Sequence, residues 1–128
     1  MRVRISSLIA GVATALALVA VPAATAATDV HRATLSGSAR FPAVTGSAKF
    51  QRDDGIRELE AEIQHARPLA GSKVRFIVNG VAVATVKVSA VGTARIDRSG
   101  AAVPPVSSGS TIRVRRLNDV LVAAGRFS

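Results

Sequence analysis

Three glutamates at alternate positions are the first residues whose type and spacing suit chemistry. Glu58, Glu60 and Glu62 lie in the stretch RELEAEIQHA, which also contains His65. On a strand, alternate side chains share one face about 7 Å apart, a spacing that suits the acid and base of an inverting glycoside hydrolase. An exposed sheet surface presents the same row when carboxylates pair with basic side chains on the next strand. Because the chain has no Trp or Tyr to form a sugar platform, the surface interpretation is favoured.

The sequence offers few residues for metal binding or for nucleophilic catalysis. The two histidines, His31 and His65, are accompanied by no cysteine. The DDG sequence at 53–55 lacks the spaced oxygen ligands of a calcium loop, and the serines at 107–110 lack a Gly-x-Ser-x-Gly elbow. The sequence therefore predicts no catalytic residue, no metal site and no cofactor. A hydrolase that uses His65 or the glutamates is the enzymatic alternative.

Arginines near the end of the chain are the main candidate for binding. Residues 67–128 hold ten basic side chains against two acidic ones. The alternation in TIRVRR places Arg113 and Arg115 on one face with Arg116 just beyond, and Arg95 lies on another predicted strand. If the four converge, they form a patch for an anionic polymer such as wall teichoic acid or nucleic acid; an unpatterned solvated face is the alternative. The lack of Trp and Tyr weighs against binding of single-stranded nucleic acid by stacking.

The first residues predict export. Two arginines and an uncharged run precede Ala24-Thr25-Ala26, a pattern that signal peptidases accept. An uncleaved anchor is the alternative, but the Ala, Gly and Thr content of the run favours cleavage. We therefore expect a signal peptide at 1–26, a flexible lead-in at 27–33 and one secreted domain at 34–128, with no membrane span after cleavage.

The dipeptide Asp54-Gly55 predicts a hairpin together with its register. With these two residues as the loop, apolar side chains face each other and Lys49 faces Glu60. The predicted pairs are Phe50 with Leu59, Ala48 with Ala61, and Gln51 with Glu58. A slip by one residue would turn every side chain to the other face. The strands are therefore predicted at 47–52 and 56–65, although the composition of the second also suits a helix.

Other turn signals complete an all-β pattern. Asn79-Gly80 predicts a second hairpin, with Val74, Phe76 and Val78 on one face and a bulge near Thr85. TIRVRR and VLVAAGRF predict a last pair around 117–119, whose register stays open. Seven or eight short strands predict an antiparallel, immunoglobulin-like β-sandwich, with a small β-barrel as the alternative.

The stretch ELEAEIQHARPLAGSKVRFIVNGVAVATVKVSAVGTARID resembles small secreted β-domains of actinobacteria and related bacteria. These share L-x-V, a Leu-Ala-Gly loop, V-x-V-x-V-N-G, G-T and G-x-A. The likeness covers residues 45–127, including LVAAGRF, and implies a sandwich fold with no known activity. The chain more weakly resembles the CHRD module of extracellular proteins. It lacks that module's His-x-His signature because no His follows His65.

The sequence thus predicts a non-catalytic secreted module that binds or structures something outside the cell. The sequence leaves its ligand open; an anionic cell-wall polymer and another extracellular protein are the candidate partners. A basic adhesin for wall polymer or nucleic acid is the first alternative. A hydrolase and a protease inhibitor that presents the loop 101–110 are the others.

Overall fold

Eight antiparallel strands make up the part of the chain that the computed structural model describes, residues 28–128. The predicted signal peptide lies outside these residues. The strands are β1 (Asp29–Gly37), β2 (Thr45–Asp53), β3 (Ile56–Gln64), β4 (Lys73–Val78), β5 (Val81–Lys87), β6 (Ala94–Ser99), β7 (Thr111–Arg116) and β8 (Leu121–Arg126). The one helical segment of this part is a 3-10 turn at Arg67–Leu69.

All eight strands belong to a single sheet in the order β5-β4-β7-β8-β1-β2-β3-β6. Its edge strands, β5 and β6, approach each other beside a tight connection in which Ser89 N donates to Thr93 O at 2.9 Å. The sheet is therefore nearly closed into a barrel. The all-β prediction is confirmed and the small barrel agrees with the structure, whereas a sandwich of two sheets is not confirmed.

The β2–β3 hairpin has the predicted register. Phe50 lies opposite Leu59 and Lys49 lies opposite Glu60, with the turn at Asp54-Gly55. Asp54 has a φ of 52°, a left-handed conformation that Asp tolerates better than most residues. The turn dipeptide and the alternation of apolar residues act together, since both require the same pairing.

The β4–β5 hairpin contains a bulge, two residues before the predicted position. The register shifts between Phe76 and Ile77, and the ladder passes over Val83 as the extra residue. An extra residue reverses the alternation of a strand. Ala84 is consequently buried and Thr85 exposed.

The strand β1 begins where the sequence predicts a flexible lead-in. Residues from Asp29 onward belong to β1, which pairs with β2 from Asp29 opposite Arg52 to Ser36 opposite Thr45. It also pairs with β8, so it satisfies backbone groups on both neighbours that would otherwise be unpaired. The domain therefore begins before residue 34.

The interior of the barrel is apolar. Every buried side chain in residues 28–128 is hydrophobic. The largest fully buried ones are Phe50, Phe76, Phe127, Leu35, Leu59 and Ile63. Burying each such side chain contributes about 1.5–3 kcal/mol. Because the sequence has no cysteine, this packing and the strand ladders supply the stability.

Candidate functional site

The arginines predicted to form one patch lie on two separate strands. Arg113, Arg115 and Arg116 belong to β7, which pairs with β4 and β8. Arg95 belongs to the edge strand β6, which pairs with β3. The ladder thus brings the three β7 residues together but places Arg95 beside Glu62 instead.

Arg115, on β7, has a structural partner in the turn that follows the strand. Its Nη1 donates to the carbonyl oxygen of Asp119 at 2.9 Å, in the turn that leads to β8. Arg75, on β4, donates to Leu117 O at 3.0 Å and forms an ion pair with Asp119 at 3.8 Å. These bonds hold the β7–β8 turn, so part of the predicted patch stabilises the fold.

A groove of about 590 Å³ crosses the outer face of the sheet over β8, β1, β2, β3 and β6. This volume lies in the range of ordinary ligand sites. Its charged side chains are Arg32, Lys49, Arg95, Arg126, Glu60 and Glu62. Four basic and two acidic groups from five strands therefore face one depression.

Differences in side-chain length produce the groove. Thr34 and Ser47 lie opposite each other on β1 and β2 and are short. Longer side chains surround them, including Arg126 on β8 and Glu62 on β3. The floor of the groove is the backbone of three alanines that lie opposite one another on β1, β2 and β3. Their small side chains point into the core: Ala33, Ala48 and Ala61.

One row across the sheet has an ordered sequence of charges. Arg32 lies opposite Lys49, Lys49 opposite Glu60, and Glu60 opposite Asp97. Four neighbouring strands thus present two positive and then two negative residues at a spacing of about 4.8 Å per strand. The three ion pairs within the described residues are His31–Asp29, Arg52–Asp29 and Arg75–Asp119. The charges of this row are consequently not neutralised by pairing with one another.

The glutamate row has the predicted orientation. Glu58, Glu60 and Glu62 point outward from β3 while the intervening residues are buried. The groove includes Glu60 and Glu62 but not Glu58. Glu62 Oε1 accepts a hydrogen bond from Gln64 Nε2 at 3.3 Å, which restricts one of the two groove carboxylates.

The two histidines occupy separate positions. His65 follows β3 with a φ of 62°, and its Nδ1 lies 3.2 Å from Thr45 Oγ1. It is exposed at the margin of the sheet. His31 has Nε2 at 3.1 Å from Asp29 Oδ1 and Nδ1 at 2.6 Å from Ser128 O. The contact with Ser128 holds the end of the described chain against β1.

The loop at 101–110 lies against the barrel. Val103 and Val106 are buried, and Arg57 Nε donates to Val103 O at 2.6 Å. Asn79 Nδ2 donates to Pro105 O at 3.3 Å. These contacts hold much of the loop that the inhibitor hypothesis would present to a protease.

Residues 28–128 contain neither a candidate metal cluster nor a helix that could span a membrane. This part of the chain contains no group of three or more His, Asp or Glu side chains arranged to hold a metal ion. None of its helical segments is long and apolar enough to span a bilayer.

Sequence reasoning missed three of the basic groove residues. Arg32 lies in the predicted lead-in, Lys49 is predicted to pair with Glu60, and no pattern in the sequence distinguishes Arg126. The signal was present for Lys49, because the correct hairpin register already placed it on the outer face beside the glutamates. Arg32 and Arg126 could not be placed in the groove from sequence alone, because their positions depend on β1 lying between β2 and β8.

Comparison with known proteins adds no family to these observations: the chain matches no protein-family model and no curated protein.

Proposed function

We propose that the protein is a secreted, non-catalytic module that binds an anionic extracellular polymer in the outer-face groove. The observation that carries the proposal is the convergence of Arg32, Lys49, Arg95 and Arg126 on one depression. Each comes from a different strand, so the sheet fixes their relative positions. Preorganised cations bind anionic groups at a smaller entropic cost than a flexible basic segment does.

The composition of the chain supports an electrostatic role. The whole sequence has 17 basic and 8 acidic residues, and a positive net charge attracts polyanions and speeds their association. Export rests on the pattern at residues 1–26, and the actinobacterial resemblance stays a prediction from its motifs. A cysteine-free apolar core is compatible with folding in an oxidising environment.

The environment of the carboxylates supports a binding role over hydrolysis. A glycosidase acid commonly sits in an apolar pocket that favours its protonated form. Glu60 is instead exposed on an open strand face, and the groove has no aromatic side chain in its lining. The buried residues of the described part supply only hydrocarbon and aromatic groups.

The test is retention of the purified protein on immobilised teichoic acid as the salt concentration rises. Binding through several ionic contacts weakens steeply with salt. We expect the variant Arg32→Gln/Lys49→Gln to lose about tenfold in affinity at moderate salt, because two groove cations are removed. The matched control is Arg113→Gln/Arg116→Gln, which removes the same charge from β7.

The two variants separate the possible outcomes. Selective loss in the groove variant supports the proposal. Equal loss in both variants would mean that net charge alone drives retention, and selective loss in the control would move the site to β7. Either of these results, or retention that does not respond to salt, contradicts binding in the groove.

A further inference from the structure

We propose that the groove selects a ligand that carries a phosphate and an ammonium group close together, and disfavours uniformly anionic polymers. The inference deepens the proposed function and rests on it. The row Arg32, Lys49, Glu60, Asp97 carries the argument, since each residue lies directly opposite the next.

The positive half of the groove fits a phosphate. Arg32 and Lys49 face outward on neighbouring strands, with the hydroxyl groups of Thr34 and Ser47 one row away. Arg126 Nη1 donates to Gly109 O at 3.1 Å, which holds this guanidinium at the groove while its other N–H groups stay available. Cationic and hydroxyl donors together suit the oxygens of a phosphodiester.

The negative half fits an ammonium group. Glu60, which lines the groove, lies between Lys49 on one side and Asp97, just outside the lining, on the other. A uniform polyanion that occupied the row would bring its own charge against Glu60 and Asp97, and like charges at such distances repel. Lys49 and Glu60 lie one strand spacing apart, about 4.8 Å. A phosphate over Lys49 therefore places a nearby ammonium over Glu60, where it removes that repulsion and supplies the carboxylate with a partner.

A soluble polymer suits the lining better than a membrane surface. Binding at a bilayer interface relies on apolar side chains that enter the acyl region. The groove is lined by charged side chains, Thr, Ser and Ala. The ligand class that combines these properties is a polyol-phosphate chain that carries ester-linked amino acids, and vesicles that contain phosphatidylethanolamine provide the membrane arm of the test.

The experiment uses two small probes, O-phosphoethanolamine and glycerol phosphate, in NMR titrations of the protein. The two share a phosphate and differ in the ammonium group. We expect phosphoethanolamine to bind about fivefold more tightly, as an added exposed ion pair allows, with shifts in the amides around Lys49 and Glu60. Vesicles that contain phosphatidylethanolamine should not bind.

Substitutions in the negative half provide the decisive comparison. Glu60→Gln/Asp97→Asn should abolish the preference for phosphoethanolamine and leave glycerol phosphate binding equal or stronger. Glu58→Gln is the control, because Glu58 points outward from the same strand but lies outside the charged row, opposite Gln51 and Ser99, and it should leave the preference intact.

Several results would overturn the inference. Equal affinity of the unmodified protein for both probes, binding of neither probe, or a preference that survives Glu60→Gln/Asp97→Asn would each do so. Binding to the vesicles would show that the ligand is a membrane surface and not a soluble polymer. Even then, the proposed function would still be supported if retention on teichoic acid falls with salt and is weakened by Arg32→Gln/Lys49→Gln. Failure of this inference can therefore be distinguished from failure of the proposed function.

Discussion

Lys49 and Glu60 lie directly opposite each other on β2 and β3, but they form no ion pair within the described part of the chain. Opposite charges at such positions usually stabilise a sheet by pairing. Here each charge borders the groove, and each has a second neighbour in the same row. The hairpin is therefore held by its apolar face, while its charged face stays available to a ligand.

A double-mutant cycle tests the independence of these two charges. Because the side chains do not pair, we expect Lys49→Gln and Glu60→Gln to change the free energy of unfolding additively, with a coupling below about 0.5 kcal/mol. Urea unfolding of the two single variants and the double variant measures the coupling. A coupling of about 1 kcal/mol or more would show that the pair forms in solution.

The β2–β3 hairpin was predictable because local signals agree. Asp54-Gly55 fixes a two-residue loop, and the alternation of Phe50, Leu59 and their neighbours fixes the same register. The β4–β5 hairpin was less predictable, since Val83 and Ala84 differ little in polarity, and the alternation therefore indicates a bulge without fixing which residue is the extra one.

The groove was less predictable than the hairpins because it depends on strand order. Arg32 and Lys49 are neighbours only because β1 pairs with β2, and Arg126 joins them only because β8 lies on the other side of β1. Long-range order of this kind follows from how the whole sheet closes. The predicted patch therefore groups Arg95, which is exposed on β6, with arginines of a distant strand.

Hydrogen bonds from the Asn79 side chain should stabilise the β4–β5 turn, in addition to the tolerance of Asn for the left-handed backbone conformation. Asn79 Nδ2 donates to Pro105 O at 3.3 Å and to Ser110 Oγ at 3.1 Å, and Oδ1 accepts from Thr111 N at 3.1 Å. We expect Asn79→Ala to lower the free energy of unfolding by about 2–4 kcal/mol, from these bonds and from the left-handed backbone together.

Asp54→Ala is the matched control for Asn79→Ala. The φ of Asp54 is 52° and that of Asn79 is 50°, so both variants place Ala in the same strained conformation. The control should cost only about 1 kcal/mol. Equal losses in urea unfolding would show that the Asn79 side-chain bonds contribute nothing.

The core position of Phe50 predicts a large loss on truncation. Phe50 is 0% exposed, whereas Ile56 on the same hairpin is 56% exposed. Phe50→Ala should lower the free energy of unfolding by about 3–5 kcal/mol because a cavity remains. Ile56→Ala should change it by less than about 0.5 kcal/mol. Thermal and urea unfolding of both variants test the contrast, and comparable losses would contradict the placement of these side chains.

Gly125 links the packing of β8 against β1 to the shape of the groove. A Cβ at this position would fall against the carbonyl oxygen of Thr34. Thr34 lines the groove, and so does Arg126, the residue after Gly125. Gly125→Ala must therefore move β8 away from β1, at a cost of about 1–3 kcal/mol in stability. Because Arg126 moves with the strand, we also expect weaker retention on teichoic acid.

Gly37→Ala separates loss of stability from loss of groove shape. A Cβ at Gly37 would fall against the carbonyl oxygen of Phe41, a contact of the same kind in a segment outside the groove lining. Both variants should unfold at lower urea concentrations, but below the unfolding transition only Gly125→Ala should elute at lower salt. Equal retention of the two variants would mean that the β1–β8 contact does not determine the binding surface.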